Sequence, residues 1–546
     1  MAWTFLTPRE YEDFSEGLIA AVLMVANLLY AQEVRYFDEN ATFEPLLHTW
    51  SLSIEEQFYL FFPFILIACI KSRRLLTTLS LLCGVSFVSA LWGAVDSPQN
   101  NFYSLGARAW ELLAGALCAV AERRQFWKAH DGVAALGAAL IALAVTFTPS
   151  GTPSPSIATT VPVLGTMLII MFAGGKGPVT NLLRSRAAVM IGLGSYGTYL
   201  WHQPLFAFAK SALGELSIIS ASALCVLSLL MGYLSWRWIE RPFRMSEQTS
   251  ATKRIQLFMI IFSALSIVAV GVHGVITKGA PLRFPNAAKV TDRDLEMASV
   301  SNGHCFYDVD TNDDLLVGDG MDCDLGDLSG RPAILVGDSF AGQFEPFWDE
   351  VGRRHHLRVR SLTTNWCHPS LTEEFSGPPN GRAFMQCAQM RREILENARS
   401  VEFVIVGAHF GRLSDTGMTR DVQAFISYVL ASSTAKVVIM EAPPQLIRRG
   451  VERALYDPAA DIQVDEQLDA KTRIAHDELR RLFGEIERVR FVTRAELFGS
   501  DLRALRSDGL PYSFDGAHLS VNGAKAAAQS FKRTAEASFS QFVDSK

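Results

Sequence analysis

Half of this 546-residue chain is built of apolar runs, and that pattern restricts what it can fold into more than any other feature. Up to about residue 278 the runs are roughly 16 to 24 residues long, the length needed to cross the hydrocarbon core of a bilayer. Eight runs are expected to span: 56–70, 75–95, 103–121, 131–148, 157–173, 187–209, 216–236 and 256–277. A ninth stretch, 17–31, is apolar but short, so the span count stays between eight and nine. Acidic Glu10, Glu12, Asp13 and Glu16 stand where a secretory signal would be basic, so the first run is not read as one.

Positive charge gathers on alternate loops. Lys71, Arg73 and Arg74 follow the first of the eight spans, and Arg123, Arg124 and Lys128 the third. Lys176, Arg184 and Arg186 follow the fifth, and Arg237, Arg241, Arg244, Lys253 and Arg254 the seventh. The loops 96–101 and 149–156 are almost free of it. Basic loops remain cytoplasmic, which sends the C-terminal half to the opposite side. The net charge of −6 and the lack of a basic, aromatic-interleaved stripe give no sign of a nucleic-acid partner.

Beyond residue 278 charge and turn residues return. Short β-branched runs at 333–337, 357–361, 401–407, 436–440 and 489–493 read as strands. Helical patterns at 342–354, 383–399, 419–432, 466–487 and 520–537 fall between and after them. That alternation predicts a mostly parallel sheet covered by helices, with its site at the carboxyl ends of the strands. The expected division is a membrane domain over 1–278, an extension over 279–330 and an α/β domain over 331–546.

Cys69, Cys83, Cys118 and Cys225 lie within apolar runs and read as small buried hydrophobes. Cys305, Cys323, Cys367 and Cys387 are even in number and close in sequence pairs. In an oxidising compartment they are expected to form Cys305–Cys323 and Cys367–Cys387 disulfides. Zinc is the rival reading, without C-x-x-C or clustered His to support it.

Gly337-Asp338-Ser339 follows the strand Ile334-Leu335-Val336, and Asp515-Gly516-Ala517-His518 precedes a helix. Taken singly, the first could be a helix cap and the second a turn with a surface histidine. Together they supply a nucleophile, a base and a carboxylate to orient it. Serine attacks carbonyls well only when an imidazole takes its proton, and a carboxylate fixes that imidazole's tautomer.

These two blocks resemble those of the SGNH hydrolase family, with a flavodoxin-like α/β fold. The resemblance makes Ser339 the nucleophile, His518 the base, Asp515 its partner and the Ser339 N–H an oxyanion donor. The family's middle Gly-x-Asn-Asp block is absent, since strand 404–407 runs into Ala408-His409-Phe410-Gly411. Asn365 is the candidate substitute donor.

In the membrane half, Leu46-Leu47-His48-Thr49-Trp50-Ser51-Leu52-Ser53-Ile54-Glu55-Glu56-Gln57-Phe58-Tyr59 includes an S-x-x-E pattern, Ser53 to Glu56, that alone would open a helix. The run also resembles a recurrent segment of the membrane acyltransferase type 3 family. Arg108-Ala109-Trp110-Glu111-Leu112-Leu113-Ala114-Gly115, Ser195-Tyr196 to Trp201-His202, and Glu240-Arg241-Pro242-Phe243-Arg244 extend the likeness from about residue 15 to 245. His48, Glu55, Glu56, Arg108, Glu111, Tyr196 and His202 become acyl-transfer candidates. The bland alternatives are a core histidine for His202 and an i,i+3 pair for Arg108 and Glu111. Family members open with further spans and a histidine, whereas no histidine precedes His48 here, so the resemblance implies a chain lacking the family's first spans.

What the resemblance implies is a bacterial inner-membrane O-acetyltransferase with its C-terminal domain on the periplasmic side. Acetyl-CoA would be the donor, with no bound cofactor or metal. The acceptor would be an envelope polysaccharide or lipid-linked glycan, such as lipopolysaccharide O-antigen, exopolysaccharide or peptidoglycan, in contact with membrane lipid. A carbohydrate acetyl-esterase would use the same triad, and an inactive truncated acyltransferase or a transport protein is the reading from another class.

Overall fold

A computed structural model describes residues 1–545 apart from 34–42, 73, 124–126, 150, 151, 153, 214, 215, 246–249, 313, 379, 380 and 500–504. Arg73 and Arg124, two of the residues used to orient the loops, therefore lie outside the described residues, as does part of loop 149–156. The chain divides into two units, Met1–Pro281 and Leu282–Lys546.

The first unit is helical. The eight apolar runs fall on α3 (Thr49–Ser72), α4 (Leu75–Asp96), α5 (Leu105–Arg123), α6 (Asp131–Phe147), α7 (Ile157–Phe172), α8 (Arg186–Leu213), α9 (Ile218–Ser235) and α10 (Ser250–Ile276). Among the described residues five helical segments are long and apolar enough to cross a membrane: Thr49–Cys69, Leu75–Val95, Pro98–Arg123, Ile218–Phe243 and Thr252–Ile276. Five of the eight expected spans thus meet that length and composition. At 17 and 16 residues α6 and α7 are short, and α8 is diluted by interior polar residues such as Ser195, His202 and Gln203. The run 17–31 is broken at Leu23–Val25, where Met24 takes φ 58°, into α1 (Pro8–Val22) and α2 (Ala26–Glu33).

Small residues set how closely the helices approach. A Cβ on Gly137 would lie 2.6 Å from the Gly165 carbonyl, and one on Gly197 would lie 2.8 Å from that of Gly232, so α6 meets α7 and α8 meets α9 backbone to backbone. Large apolar side chains point outward instead, as Phe258 and Phe262 do on α10. That surface suits hydrocarbon as solvent, since each helix satisfies its own backbone. The expected Ser53–Glu56 capping box does not form. The helix begins a turn earlier, at Thr49, and Ser53 Oγ donates to the Thr49 carbonyl and accepts from the Ala26 N–H at 3.1 Å.

The second unit holds a six-stranded sheet: β1 (Asp324–Gly326), β2 (Arg331–Gly337), β3 (Leu357–Thr363), β4 (Phe403–Gly407), β5 (Lys436–Met440) and β6 (Val489–Val492). Its order is β1-β3-β2-β4-β5-β6, parallel except for the β1 edge. Without β1 this is the flavodoxin-like order, whose strand order reverses between β2 and β4 and opens a crevice there. Strand residues alternate between two cores. Leu335, Ile405 and Val438 face Trp348 and Phe531, while Ile334, Val404 and Val437 face Ile394, Phe425 and Leu479. Burial on both faces is what the continuous Val/Ile runs require.

From Leu282 the stretch 279–330 is packed into this unit. Asp294 is 2 % exposed in its side chain and pairs with Arg506 at 2.5 Å. Asn522 also donates to Asp294, and the Val521 N–H donates to the Glu296 carbonyl. The Cys305–Cys323 and Cys367–Cys387 disulfides are both formed. Buried Glu345 accepts from the Cys305 N–H and from the Ser361 and Thr363 hydroxyls, which fixes the first bridge against β3.

Candidate active site

The end of β2 makes the turn that exposes the serine. Gly337 has φ 147°, and a Cβ there would lie 1.9 Å from the Gly407 carbonyl, so only glycine lets β2 and β4 close at this point. Asp338 follows, buried, and caps the helix Ser339–Gly342 by accepting from the Phe340 N–H. Its second oxygen accepts from the His409 N–H just beyond β4. One carboxylate thus ties both strand ends around the serine. Burial pushes the Asp338 carboxyl up to about 6, against the pull of those two N–H groups.

His518 arrives on a loop braced from two sides. Gly516 takes φ 91°, and its carbonyl accepts from the Leu446 N–H. Gln343 accepts from the Leu519 N–H and donates to the Phe340 carbonyl, which links the histidine loop to the serine's helix. Ser339 Oγ then lies 2.9 Å from His518 Nε2, and His518 Nδ1 lies 2.8 Å from Asp515 Oδ2. The structure brings together all three residues expected from the two motifs.

Burial alone would lower the His518 pKa, but the Asp515 charge and hydrogen bond outweigh it and hold it above the ordinary imidazole value. Burial would likewise raise Asp515, yet His518 and the Ala517 and His518 N–H groups hold its carboxyl down at about 2. Asp515 is therefore a fixed anion beside a base of raised affinity for protons. The Ser339 N–H makes no hydrogen bond among the described residues, and it is aimed as a first-turn donor. Asn365 has its oxygen on the Val309 N–H and one amide hydrogen on Asp308, at 2.9 Å each. These contacts make it a brace for the loop after Cys305, with one amide hydrogen uncommitted.

Two neighbours escaped the sequence reading. The His409 ring stacks on Phe340 at 4.3 Å and 2°, and Phe340 in turn contacts His518 at 4.8 Å. Burial drops His409 to about 4, so it stays neutral. Its place after β4 was visible as the segment standing where Gly-x-Asn-Asp would be. Gln343 gave no sequence signal.

A cleft of about 430 Å3 opens from Ser339 and His518. One wall is Leu295–Ser301, from the stretch read as an extension, and another is Asn365–Trp366.

In the helical unit, His48 is buried with both ring nitrogens unpartnered among the described residues, and its ring stands 5.4 Å from that of His202 and 5.3 Å from that of Tyr199. Tyr199 Oη donates to the His48 carbonyl, and His202 Nδ1 lies 2.6 Å from the Tyr199 carbonyl. Tyr199 is thus the link that the candidate set lacked. His202 also lines a cavity of about 650 Å3 with Gln203 and Lys210. Arg108 donates to Glu111 at 2.9 Å and to the Phe102 carbonyl, with its guanidinium over Phe102 at 4.7 Å, which is an i,i+3 pair and an aromatic brace. The side chains of Glu55, Glu56 and Tyr196 make no hydrogen bonds among the described residues, and the structure does not join them to the His48–His202 pair.

Known proteins match the chain in two separate segments, one within each unit. Residues 13–237 match the acyltransferase domain family, and residues 304–533 match the SGNH domain found fused to AT3 domains. The two matches together give a membrane acyltransferase domain followed by an SGNH domain. It is 26% identical over 339 residues to the putative peptidoglycan O-acetyltransferase YrhL of Bacillus subtilis, covering 55% of this chain and 53% of that protein. It is 28% identical to the peptidoglycan O-acetyltransferase OatA of Listeria monocytogenes, covering 44% of this chain and 42% of that one. With the putative membrane-bound transacylase BcsY of Komagataeibacter xylinus it shares 31% identity over 44% of this chain and 62% of that protein. The chain thus spans between about two fifths and three fifths of these relatives.

Proposed function

We propose that this acyltransferase O-acetylates an envelope polysaccharide through a Ser339 acyl-enzyme. The observation that carries the reading is the hydrogen-bonded line Ser339–His518–Asp515 at the mouth of the β2/β4 crevice, opening on a cleft. Ser339 Oγ attacks the acyl carbonyl carbon while its proton passes to His518 Nε2, and the Ser339 N–H faces the oxyanion that forms. The leaving group takes the proton from His518. A sugar hydroxyl then attacks the acyl-serine and gives its proton to His518, which returns it to Ser339 Oγ.

In this reading the helical unit supplies the acyl group from acetyl-CoA on the cytoplasmic side of a bacterial inner membrane, and the SGNH unit works on the periplasmic side. The alternation of basic loops supports the orientation. Two disulfides support an oxidising compartment for the second unit. The relatives' names support an envelope glycan as acceptor and acetyl as the group moved. The His48–Tyr199–His202 group beside a cavity is the candidate place for acyl handling within the helices.

The test is Ser339→Ala in cells that express the chain. Polysaccharide acetylation is expected to disappear while the protein still fractionates with membranes. Undiminished acetylation would overturn the role given to the SGNH unit.

A further inference from the structure

The cleft at Ser339 is far larger than a two-carbon acyl group needs, and its volume of about 430 Å3 lies in the range of sites that enclose a small organic ligand. Its lining has a definite chemistry. Phe306, Trp366 and Phe514 give aromatic surface, Glu296 and Asp308 give carboxylates, and neither Lys nor Arg is among the described residues that line it.

Trp366 is held as a fixed platform. Its backbone has φ 56°, a left-handed conformation that a bulky residue rarely takes and that clusters at ligand sites. Its carbonyl accepts from Ser376 Oγ at 2.8 Å, and the next residue, Cys367, is bridged to Cys387. A Cβ on Gly377 would lie 2.8 Å from Trp366 Cβ, so the 376–377 backbone closes in behind it. Asp308 is set just as firmly. Its Oδ1 accepts from the Asp310 N–H and from Asn365 Nδ2, and Oδ2 accepts no hydrogen bond among the described residues.

We propose that this cleft is the acceptor subsite and that it takes a neutral pyranose or hexosamine unit and rejects uronic acids and phosphorylated sugars. The inference rests on the acetyl-transfer reading and adds the class of acceptor. A flat sugar face packs against an indole whose ordering cost is already met by the fold. Sugar hydroxyls donate to Asp308 Oδ2 and to Glu296. An anionic sugar would instead bring a third negative charge next to two carboxylates, with neither Lys nor Arg among the described residues that line the cleft.

The test is direct binding, measured on the full chain in lipid nanodiscs with Ser339→Ala to prevent turnover. Fluorescently labelled oligomers of N-acetylglucosamine and of galacturonate, matched in length, are titrated and followed by anisotropy. The neutral oligomer is expected to bind about tenfold or more tighter than the acidic one at low salt. Glu296→Gln with Asp308→Asn, both isosteric, should narrow that gap. Trp366→Ala should weaken the neutral oligomer roughly tenfold, and Trp366→Phe should restore most of it. Equal binding of the two oligomers, or a gap unchanged by the charge-neutral variant, overturns the proposal, as does neutral binding indifferent to Trp366→Ala. Binding with this pattern in a protein that, with Ser339 intact, only hydrolyses acetyl esters would sink the transfer reading and leave the sugar selectivity standing.

Discussion

Replacing Asp515 by asparagine changes one oxygen to nitrogen, yet the hydrogen bonds around it predict a near-complete loss of turnover. Asp515 Oδ1 accepts from the backbone N–H groups of Ala517 at 2.9 Å and His518 at 2.7 Å, while Oδ2 faces His518 Nδ1. Two N–H groups converging on one position demand an acceptor, so the asparagine must put its amide oxygen there and turn its NH2 to the imidazole. Nδ1 then has to accept. The ring proton moves to Nε2, which donates to Ser339 Oγ and can no longer take its proton. A wrong tautomer in a triad of this kind costs about 10⁴ in kcat, or about 5 kcal/mol of barrier. Alanine imposes no such reversal, because a water can take the place of the carboxylate, so Asp515→Asn should be at least as slow as Asp515→Ala. The assay is hydrolysis of an activated acetyl ester by the full chain in detergent, with kcat compared across the three proteins. A kcat for Asp515→Asn within about tenfold of the parent, or an alanine variant clearly slower than the asparagine one, would refute the tautomer argument.

The pH profile follows from the same site. His518 acts as base only when neutral, and its folded pKa is raised by Asp515, so kcat/KM should fall as pH drops through a midpoint above about 6.5; a midpoint at or below that value would contradict the assignment. Arg506→Met should destabilise the second unit by about 3 kcal/mol, because it leaves the buried Asp294 charge without its cation, and chemical denaturation should detect it. Replacing Cys367 and Cys387 together by serine releases a loop of sequence separation 20, worth about 3 kcal/mol in unfolded-chain entropy, to be read as an earlier unfolding transition under non-reducing conditions.

Of the five parallel strands, β2, β4 and β5 were legible as apolar runs buried on both faces and β3 and β6 as alternations of apolar residues with arginine, and the boundaries moved by only a residue or two. The edge strand β1 was not, since Asp324-Leu325-Gly326 is too short and too polar to stand out and is held by pairing with β3 and by the Cys323 bridge. Ser339, Asp515 and His518 could be named from two motifs, because each carries its local setting, a strand before the serine and a helix after the histidine. Gln343 and His409 could not, because their parts depend on the histidine loop and the end of β4 lying beside the serine's helix. The Ser53–Glu56 pattern misled for the opposite reason: a four-residue signal says nothing of a helix that has already started at Thr49. Hydropathy located the helices of the first unit, and the meeting of His48 with Tyr199 and His202 is a tertiary fact that no run of apolar residues encodes.

The Asp294–Arg506 pair has a practical reach beyond stability. It fastens the segment 291–301, one bank of the cleft, to the rest of the second unit, yet the SGNH match starts only at residue 304. A fragment excised at that homology boundary would retain Ser339, Asp515 and His518 and lose the 295–301 wall of the cleft, leaving Arg506 without its buried partner Asp294. Domain exchanges between relatives should therefore be spliced ahead of Leu282, so that the leader travels with the catalytic fold it completes.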